Sequence, residues 1–383
     1  MTVTAAKGFV AAGVAAGIKS SGNRDVALVV NQGPSFSAAG VFTSNRVKAA
    51  PVLWSEQVLK TSAVKAVVLN SGGANACTGP DGFADTHHTA EYVAQKLGLA
   101  PIDVAVCSTG LIGERLPMQN LLHGVDAAVE ALSSDGGEAA SLAIMTTDSR
   151  PKTATVSIDG WTVGGMAKGA GMLAPGLATM LVVITTDAIV EVERLHSALQ
   201  VAVDLSFNRI DSDGCMSTND TVLLLASGAS GLEPSPDDFA DALSAVCLDL
   251  ARQLIGDAEG STKDIKIQVI NAASETDAVE GARVVSRSNL LKCAIHGEDP
   301  NWGRVLAAIG TSNVEFDPNT IDVALNGVWV CRNGMTGDDR SLVSMKDREV
   351  HITINLKTGT SDATLWTNDL TAMYVHENSA YSS

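Results

Sequence analysis

Residues 168–186 read KGAGMLAPGLATMLVVITT and join a glycine-rich segment to an apolar one. The apolar segment, 180–186, is rich in β-branched residues and predicts a central strand buried on both faces. The glycine-rich segment ends in Ala178-Thr179. A threonine hydroxyl is a poor nucleophile without a neighbouring base, and a new α-amine on Thr179, with a pKa of about 8, would supply one if the preceding peptide bond were cut. A β-branched residue that simply opens a strand also explains this dipeptide.

The rest of the chain mixes short apolar runs with segments of helical spacing. Strands are predicted at 26–31, 66–70, 103–107, 153–158 and 266–272, with a hairpin at Asp159-Gly160, and helices at 83–97, 117–132, 190–203, 237–254 and 276–285. The pattern lacks the regular strand–helix rhythm of a doubly wound fold and predicts an α+β protein of mixed layers. After about residue 280 it predicts a smaller C-terminal α/β unit.

Composition limits the classes of function. The 383 residues are 45% hydrophobic and carry a net charge of −17, which excludes a disordered chain and disfavours nucleic acid and anionic membranes as partners. Residues 1–178 are nearly neutral, with 12 basic and 13 acidic residues, whereas 179–383 carry 14 and 30. No signal peptide, membrane span or structural zinc site is predicted, and the six scattered cysteines are expected to be buried and reduced. These features predict a cytoplasmic protein.

Two further segments pair glycine with hydroxyl or amide side chains directly after predicted strands. They are residues 70–75 (NSGGAN) and 108–110 (STG), and either alone is typical of a tight turn. Residues 169–174 match the G-x-G-x-x-[GA] pattern of dinucleotide-binding loops, which requires a helix to begin there. Because Pro175 and Gly176 would interrupt such a helix, a dinucleotide site is disfavoured.

Several long segments, in one order along nearly the whole chain, resemble the ornithine acetyltransferases of arginine biosynthesis. Around the apolar strand, the resemblance is carried by Lys168–Met172 and Pro175–Leu181. Elsewhere it is carried by residues 70–75, 108–113, 145–152, 206–208, 217–220, 257–260, 296–304 and 374–383. The tract 296–304 (HGEDPNWGR) looks functional but receives no catalytic role.

The resemblance implies self-cleavage between Ala178 and Thr179. Residues 1–178 would then form an α chain with the first part of a four-layer αββα core. Residues 179–280 would begin the β chain and complete the core, and 281–383 would form the smaller α/β unit. Thr179 would accept acetyl from N-acetylornithine as an ester and pass it to glutamate.

Site residues follow from the same resemblance. Thr109 and Gly110 match the pair that stabilises the oxyanion, and the substrate-binding positions match Thr147, Lys168, Thr179, Glu259, Asn378 and Ser383. Relatives often end in threonine where this chain has Ser383. No cofactor or metal is implied, acetyl-CoA as a second donor is left open, and an α2β2 assembly is expected. A self-processing aminopeptidase and a non-catalytic scaffold are the alternatives.

Overall fold

The structure is a computed structural model that describes residues 2–174 and 180–380. The described chain divides into two compact units. Residues 2–208 and 215–257 form the first unit, and residues 209–214 and 258–380 form the second.

The first unit contains both strands and helices. Its strands are β1 (Phe9–Val14), β2 (Val26–Asn31), β3 (Ser37–Phe42), β4 (Ala66–Gly73), β5 (Val104–Leu111), β6 (Lys152–Ile158), β7 (Trp161–Lys168), β8 (Leu181–Thr186) and β9 (Thr221–Ala226). Its helices are α1 (Ala50–Val58), α2 (Gly79–Leu97), α3 (Met118–Glu130), α4 (Gly137–Ala143), α5 (Val192–Leu205) and α6 (Pro236–Ile255).

Two sheets face each other in the first unit. Their strand orders are β1-β2-β4-β5 and β3-β9-β8-β7-β6. Leu28 and Leu69 of the first sheet share one apolar core with Val183 and Leu223 of the second. Helices α1 to α4 pack against the first sheet, and α5 and α6 pack against the second. This arrangement confirms the αββα core.

Strand β8 lies in the middle of its sheet, as the apolar run predicted. All six of its residues are buried, and it pairs antiparallel with β7 and parallel with β9. Lys168 pairs with Leu181, and Leu181 pairs with Thr221. The last residue of β7 and the first residues of β8 and β9 therefore lie side by side at the same end of these three strands.

The predicted hairpin joins β6 to β7. Asp159 has φ of +47° and Gly160 has φ of +96°, and Ile158 pairs with Trp161 across the turn. Two consecutive positive φ values are typical of the tight turns whose twist matches that of the flanking strands. The turn directs β7 back along β6, so that it ends at Lys168.

The second unit contains one mixed sheet. Its strands are β10 (Asp264–Ala272), β11 (Asp322–Leu325), β12 (Val328–Arg332), β13 (Met335–Thr336), β14 (Glu349–Asn355) and β15 (Ser361–Asn368), in the order β13-β12-β11-β14-β10-β15. Its helices are α7 (Glu275–Ser286), α8 (Asn289–His296), α9 (Trp302–Ile309) and α10 (Ala372–Ala380). Helix α7 packs on β10 and β15, and α9 packs on β11.

The longer segment of this second unit starts at Ala258, whereas the sequence placed a boundary at 280/281. Position 280 lies inside α7, which packs on β10. Strand β10 in turn pairs with β14 and β15, which come much later in the chain. Pairing between distant segments leaves no local mark on composition, so the change of pattern near 280 did not locate this boundary.

The cysteines differ in part from the expectation that all are buried. Cys107, Cys247 and Cys331 are buried, and Cys77, Cys215 and Cys293 are exposed; all six are free thiols. The expectation of burial was therefore wrong for three of them.

Candidate active site

Lys168, the last residue of β7, places an ammonium group inside the first unit. Its side chain is only 1% exposed. Its Nζ donates hydrogen bonds to the hydroxyl of Thr146 at 2.7 Å and to the hydroxyl of Thr109 at 3.3 Å. A buried charge requires such partners, because losing its hydration is costly. Lys168 thus joins the end of β7 to the end of β5.

Asp148 compensates the charge of Lys168. One carboxylate oxygen lies 3.9 Å from Lys168 Nζ, and the other lies 2.6 Å from Lys152 Nζ. The backbone amides of Gly169 and Thr146 donate to the same carboxylate at 2.6 and 2.9 Å. Burial alone would raise the pKa of Asp148, but the two lysine charges and these hydrogen bonds lower it to about 2. Asp148 is therefore ionised at neutral pH.

Asp257 completes a buried row of alternating charges. Its carboxylate lies 2.6 Å from Lys152 Nζ and accepts a hydrogen bond from the amide of Ser149 at 3.0 Å. The row Lys168, Asp148, Lys152, Asp257 thus contains two cations and two anions. Removing one member of such a row leaves an uncompensated buried charge, which typically costs about 3–5 kcal/mol.

A third cation, Lys19, lies near this row. Asp25 accepts hydrogen bonds from the amides of Ala16 and Ile18 at 2.6 Å and of Lys19 at 3.0 Å, which shapes the loop that carries Lys19. Lys19 Nζ donates to the carbonyl oxygens of Met145 and Arg24 at 2.6 and 2.8 Å. Burial, with help from the charge of Lys168, lowers the pKa of Lys19. No local pattern in the sequence indicated that Lys19 would lie near Lys168.

Thr109 and Gly110 lie within strand β5, not in a turn after it. Gly110 pairs with Gly72 of the parallel strand β4 and has φ of +131°. A Cβ atom on Gly110 would lie 2.5 Å from the backbone nitrogen of Gly73, so no other residue fits without moving that backbone. This close approach explains why both segments are glycine-rich. The turn interpretation was wrong for 108–110 and for the first four residues of the segment 70–75, because β5 and β4 continue through them.

The family of this chain follows from comparison of its sequence with known proteins. A sequence model of the ArgJ family matches residues 10–383. The chain belongs to the ArgJ family. It is 68% identical over 383 residues to the arginine biosynthesis bifunctional protein ArgJ of Streptomyces coelicolor, and the match covers 100% of both chains. The motifs that predicted an acetyltransferase of arginine biosynthesis were therefore interpreted correctly.

Two solved structures of ArgJ proteins are similar to parts of this chain. The bifunctional protein ArgJ of Bacillus halodurans is 36% identical, with a TM-score of 0.50, and the match covers 52% of this chain and 98% of that one. The ornithine acetyltransferase of Mycobacterium tuberculosis, crystallised with ornithine, is 61% identical, with a TM-score of 0.45. That match covers 47% of this chain and 96% of the other.

The first unit brings together three of the residues that the ArgJ motifs predicted. Lys168, Thr109 and Gly110 meet where β7 and β5 end. Thr147 is half-buried, but the hydroxyl that contacts Lys168 belongs to its neighbour in the chain, Thr146. The motif 145–152 was part of the family resemblance, but no role was predicted for Thr146 or Asp148. The many charged and hydroxyl residues in this motif could have indicated that Thr146 and Asp148 belong to the site.

The second unit brings together two more predicted residues. Asn378 of α10 donates a hydrogen bond from its side chain to the carboxylate of Glu259 at 2.9 Å. Gly260 allows this helix to approach, because a Cβ atom there would lie 2.3 Å from the backbone nitrogen of Tyr374. Ala178, Thr179 and Ser383 lie outside the described residues, so their predicted roles stay predictions.

Other interpretations of the sequence can be checked on the described residues. No helix begins within residues 169–174, where the dinucleotide pattern requires one, so that alternative is wrong. Across 2–174 and 180–380, no group of three His, Cys, Asp or Glu side chains is arranged to hold a metal ion. In the same ranges, no helix combines the length and apolarity needed to cross a bilayer.

Asp148→Asn tests the electrostatics of the row. The pKa of Asp148 is lowered from 3.8 to about 2 on folding, so its ionised form stabilises the fold above pH 3.8 and this contribution disappears as the pH falls toward 2. We expect the variant to be less stable than wild type at pH 7 by at least about 2 kcal/mol, and the difference to narrow below pH 4. Thermal melting between pH 7 and pH 3 measures it. The exposed Asp135→Asn is the control, and a difference that stays constant with pH would contradict the assignment.

Proposed function

We propose that this chain cuts itself between Ala178 and Thr179, and that Thr179 then transfers acetyl from N-acetylornithine to glutamate. The observation that carries the proposal is the hydrogen bond from Lys168 to Thr109, the residue before Gly110 in β5. Lys168 in turn pairs with Leu181, where β8 begins. Thr179 lies two residues before Leu181, the first residue of β8, in the sequence. A nucleophile at that place has a cation and candidate oxyanion donors nearby.

Self-cleavage requires only groups that the chain itself contains, together with water. The hydroxyl oxygen of Thr179 attacks the carbonyl carbon of Ala178 and forms an ester bond as the C–N bond breaks. The nitrogen keeps its hydrogen and takes up the hydroxyl proton, which makes it the new α-amine. The resulting ester is hydrolysed by water, which leaves a carboxylate on Ala178 and restores the hydroxyl. Thr179 then has both a nucleophile and a base.

Acetyl transfer uses the same hydroxyl twice. Its oxygen attacks the acetyl carbonyl of N-acetylornithine, the amide bond breaks, and ornithine leaves with a proton relayed by the α-amine. The amine of glutamate then attacks the acetyl-threonine ester, and N-acetylglutamate leaves. Each step forms a tetrahedral oxyanion, for which the hydroxyl of Thr109 and the amide of Gly110 are the proposed donors.

The lengths of the matched chains support cleavage. The Streptomyces coelicolor sequence matches this chain from end to end. The chain in the Bacillus halodurans crystal structure, in contrast, is matched over 98% of its own length while covering only 52% of this chain. A crystallised chain of about half length is what cleavage near residue 178 would leave.

Charges in both units suit amino-acid substrates. Lys168, with Lys19 near it, provides positive charge for a substrate carboxylate, although Asp148 compensates part of that charge. Glu259, held by Asn378, provides a carboxylate for a substrate amine. Thr147 and Ser383 are proposed as further binding residues on the family resemblance alone. We also propose a cytoplasmic location and an α2β2 assembly of the cleaved chains.

A self-processing aminopeptidase would share the nucleophile and the cleavage. The aminopeptidase is not favoured, because the ArgJ family model matches residues 10–383 and the chain is 68% identical to an ArgJ protein over 383 residues. A non-catalytic scaffold would leave the buried charges around Lys168 without a chemical role.

Thr179→Ala removes the proposed nucleophile. We expect the purified variant to remain one chain and to form no N-acetylglutamate from N-acetylornithine and glutamate, because both reactions need the hydroxyl. Intact mass and amino-terminal sequencing report cleavage, and wild type should give a second amino terminus reading Thr-Met-Leu. Transfer at the wild-type rate by the variant would disprove the mechanism.

Thr109→Val removes one proposed oxyanion donor but keeps the shape of the side chain. We expect kcat for acetyl transfer to fall by about 10²–10³, the usual effect of losing one such donor. Thr89→Val is the matched control, since Thr89 is also buried in the first unit but donates to the carbonyl of Asp85 within α2. Equal activity of the two variants would contradict the assignment.

Acetyl-CoA is the second acetyl donor that we propose, and the word bifunctional in the name of the Streptomyces coelicolor relative supports a second activity. We expect N-acetylglutamate to form from glutamate and acetyl-CoA, and the Thr179→Ala variant to lose this reaction too. Chromatographic measurement of N-acetylglutamate decides it. Formation only from N-acetylornithine would show that the enzyme recycles acetyl and does not add it.

A further inference from the structure

The segment Ser217-Thr-Asn-Asp220, directly before β9, belongs to the family motifs but has no role in the mechanism described so far. All four of its residues are polar and buried, with Asp220 0% exposed and Asn219 4% exposed. Buried polar groups of this kind are expected to make specific hydrogen bonds. Those of Asn219 and Asp220 lead to two different strands.

Asp220 holds the residue that follows the proposed nucleophile. Its Oδ1 accepts a hydrogen bond from the backbone amide of Met180 at 3.0 Å. The next residue, Thr221, donates its own amide to the carbonyl oxygen of Met180 at 3.1 Å. Both backbone groups of Met180 are therefore held by two consecutive residues. This contact fixes the backbone one residue before β8 begins at Leu181.

Asn219 reaches in the other direction, to the strand that carries the oxyanion pair. Its side-chain amide donates to the carbonyl oxygens of Ser108 at 2.8 Å and of Ala74 at 2.6 Å. Ser108 immediately precedes Thr109 in β5. The Asn219 side chain is itself held, because the hydroxyl of Thr218 donates to its Oδ1 at 2.6 Å.

The Asp220 carboxyl is suited to act as an uncharged acceptor. Burial raises its pKa well above the ordinary value, although its hydrogen bond to Met180 acts in the opposite sense. Hydrogen bonds from the backbone of Ser217 and the side chain of Thr43 also act to lower this pKa. An uncharged carboxyl has nearly the shape of a carboxamide and keeps a carbonyl oxygen as acceptor. Asparagine should therefore be able to replace it.

We propose that Asp220 is a positioning residue that holds the backbone of Met180, and that it works with Asn219 to fix Thr179 relative to Thr109 and Gly110. The inference rests on the proposed function, because it assumes that Thr179 is the nucleophile. One short segment would then set the spacing between nucleophile and oxyanion donors. A misplacement of about 1 Å can lower a reaction rate about 10²-fold, so this hydrogen bond would matter for both self-cleavage and acetyl transfer.

Three variants separate positioning from ordinary stabilisation. Asp220→Ala removes the acceptor, and Asp220→Asn keeps it. Asp187→Ala is the matched control: Asp187 is also buried, lies just after the other end of β8, and accepts hydrogen bonds from the amides of Thr162 at 2.7 Å and Lys7 at 2.9 Å. The control loses at least as many hydrogen bonds to backbone amides, but far along the strand from the proposed site.

The measurements are the rate of precursor cleavage and the kcat and KM for acetyl transfer, each normalised to folded protein by its melting curve. We expect Asp220→Ala to lower the cleavage rate and kcat about 10²-fold with little change in KM. Asp220→Asn should recover both to within a few-fold of wild type. Asp187→Ala should lower the melting temperature without changing the rates of the folded fraction.

Equal normalised rates for Asp220→Ala and Asp187→Ala would overturn the proposal, because the contact would then be structural only. Asp220→Asn as slow as Asp220→Ala would also overturn it, because a retained acceptor would not be sufficient. Both results presuppose a wild-type protein that cleaves itself and transfers acetyl. A wild type that does neither would instead refute the proposed function.

Discussion

The pairing of β8 on both sides is the constraint on which the rest of the molecule depends. Strand β7 on one side and β9 on the other place Lys168, Leu181 and Thr221 in one row. Because all of β8 is buried, its position cannot change without disturbing the core between the sheets. Leu181 therefore begins β8 at a fixed point of a rigid scaffold, the kind of support that a functional site requires.

Charge compensation allows the buried side chain of Lys168 to stay an ammonium group. Lys168 is almost completely buried, and the cost of burying it is offset by Asp148. Asp148 is stabilised in turn by Lys152, whose own charge is compensated by Asp257. The long row explains how an ammonium group can lie beside Thr109 in an apolar core. A single lysine in the same place would be expected to lose its proton.

Local sequence patterns predicted the strands and turns whose cause lies within a few neighbouring residues. Strand β2 has the predicted bounds, and the Asp159-Gly160 turn was recognised from its residue types. The continuation of β5 through Gly110 was not predicted, because its cause is the close approach of Gly73 from another strand. The family motifs located Lys168 and Thr109. The contacts that Asp148 and Asp220 make were not predicted, because they join segments that are distant in the sequence.

The central claim is that an acetyl group is carried on Thr179. Incubation with N-acetylornithine in the absence of glutamate should trap the intermediate, and mass spectrometry of the digested protein should find one acetyl group on the peptide that begins at Thr179. Adding glutamate should remove it and release N-acetylglutamate. Transfer that proceeds with no acetyl on this peptide, or with acetyl on another residue that glutamate removes at the rate of turnover, would contradict the account.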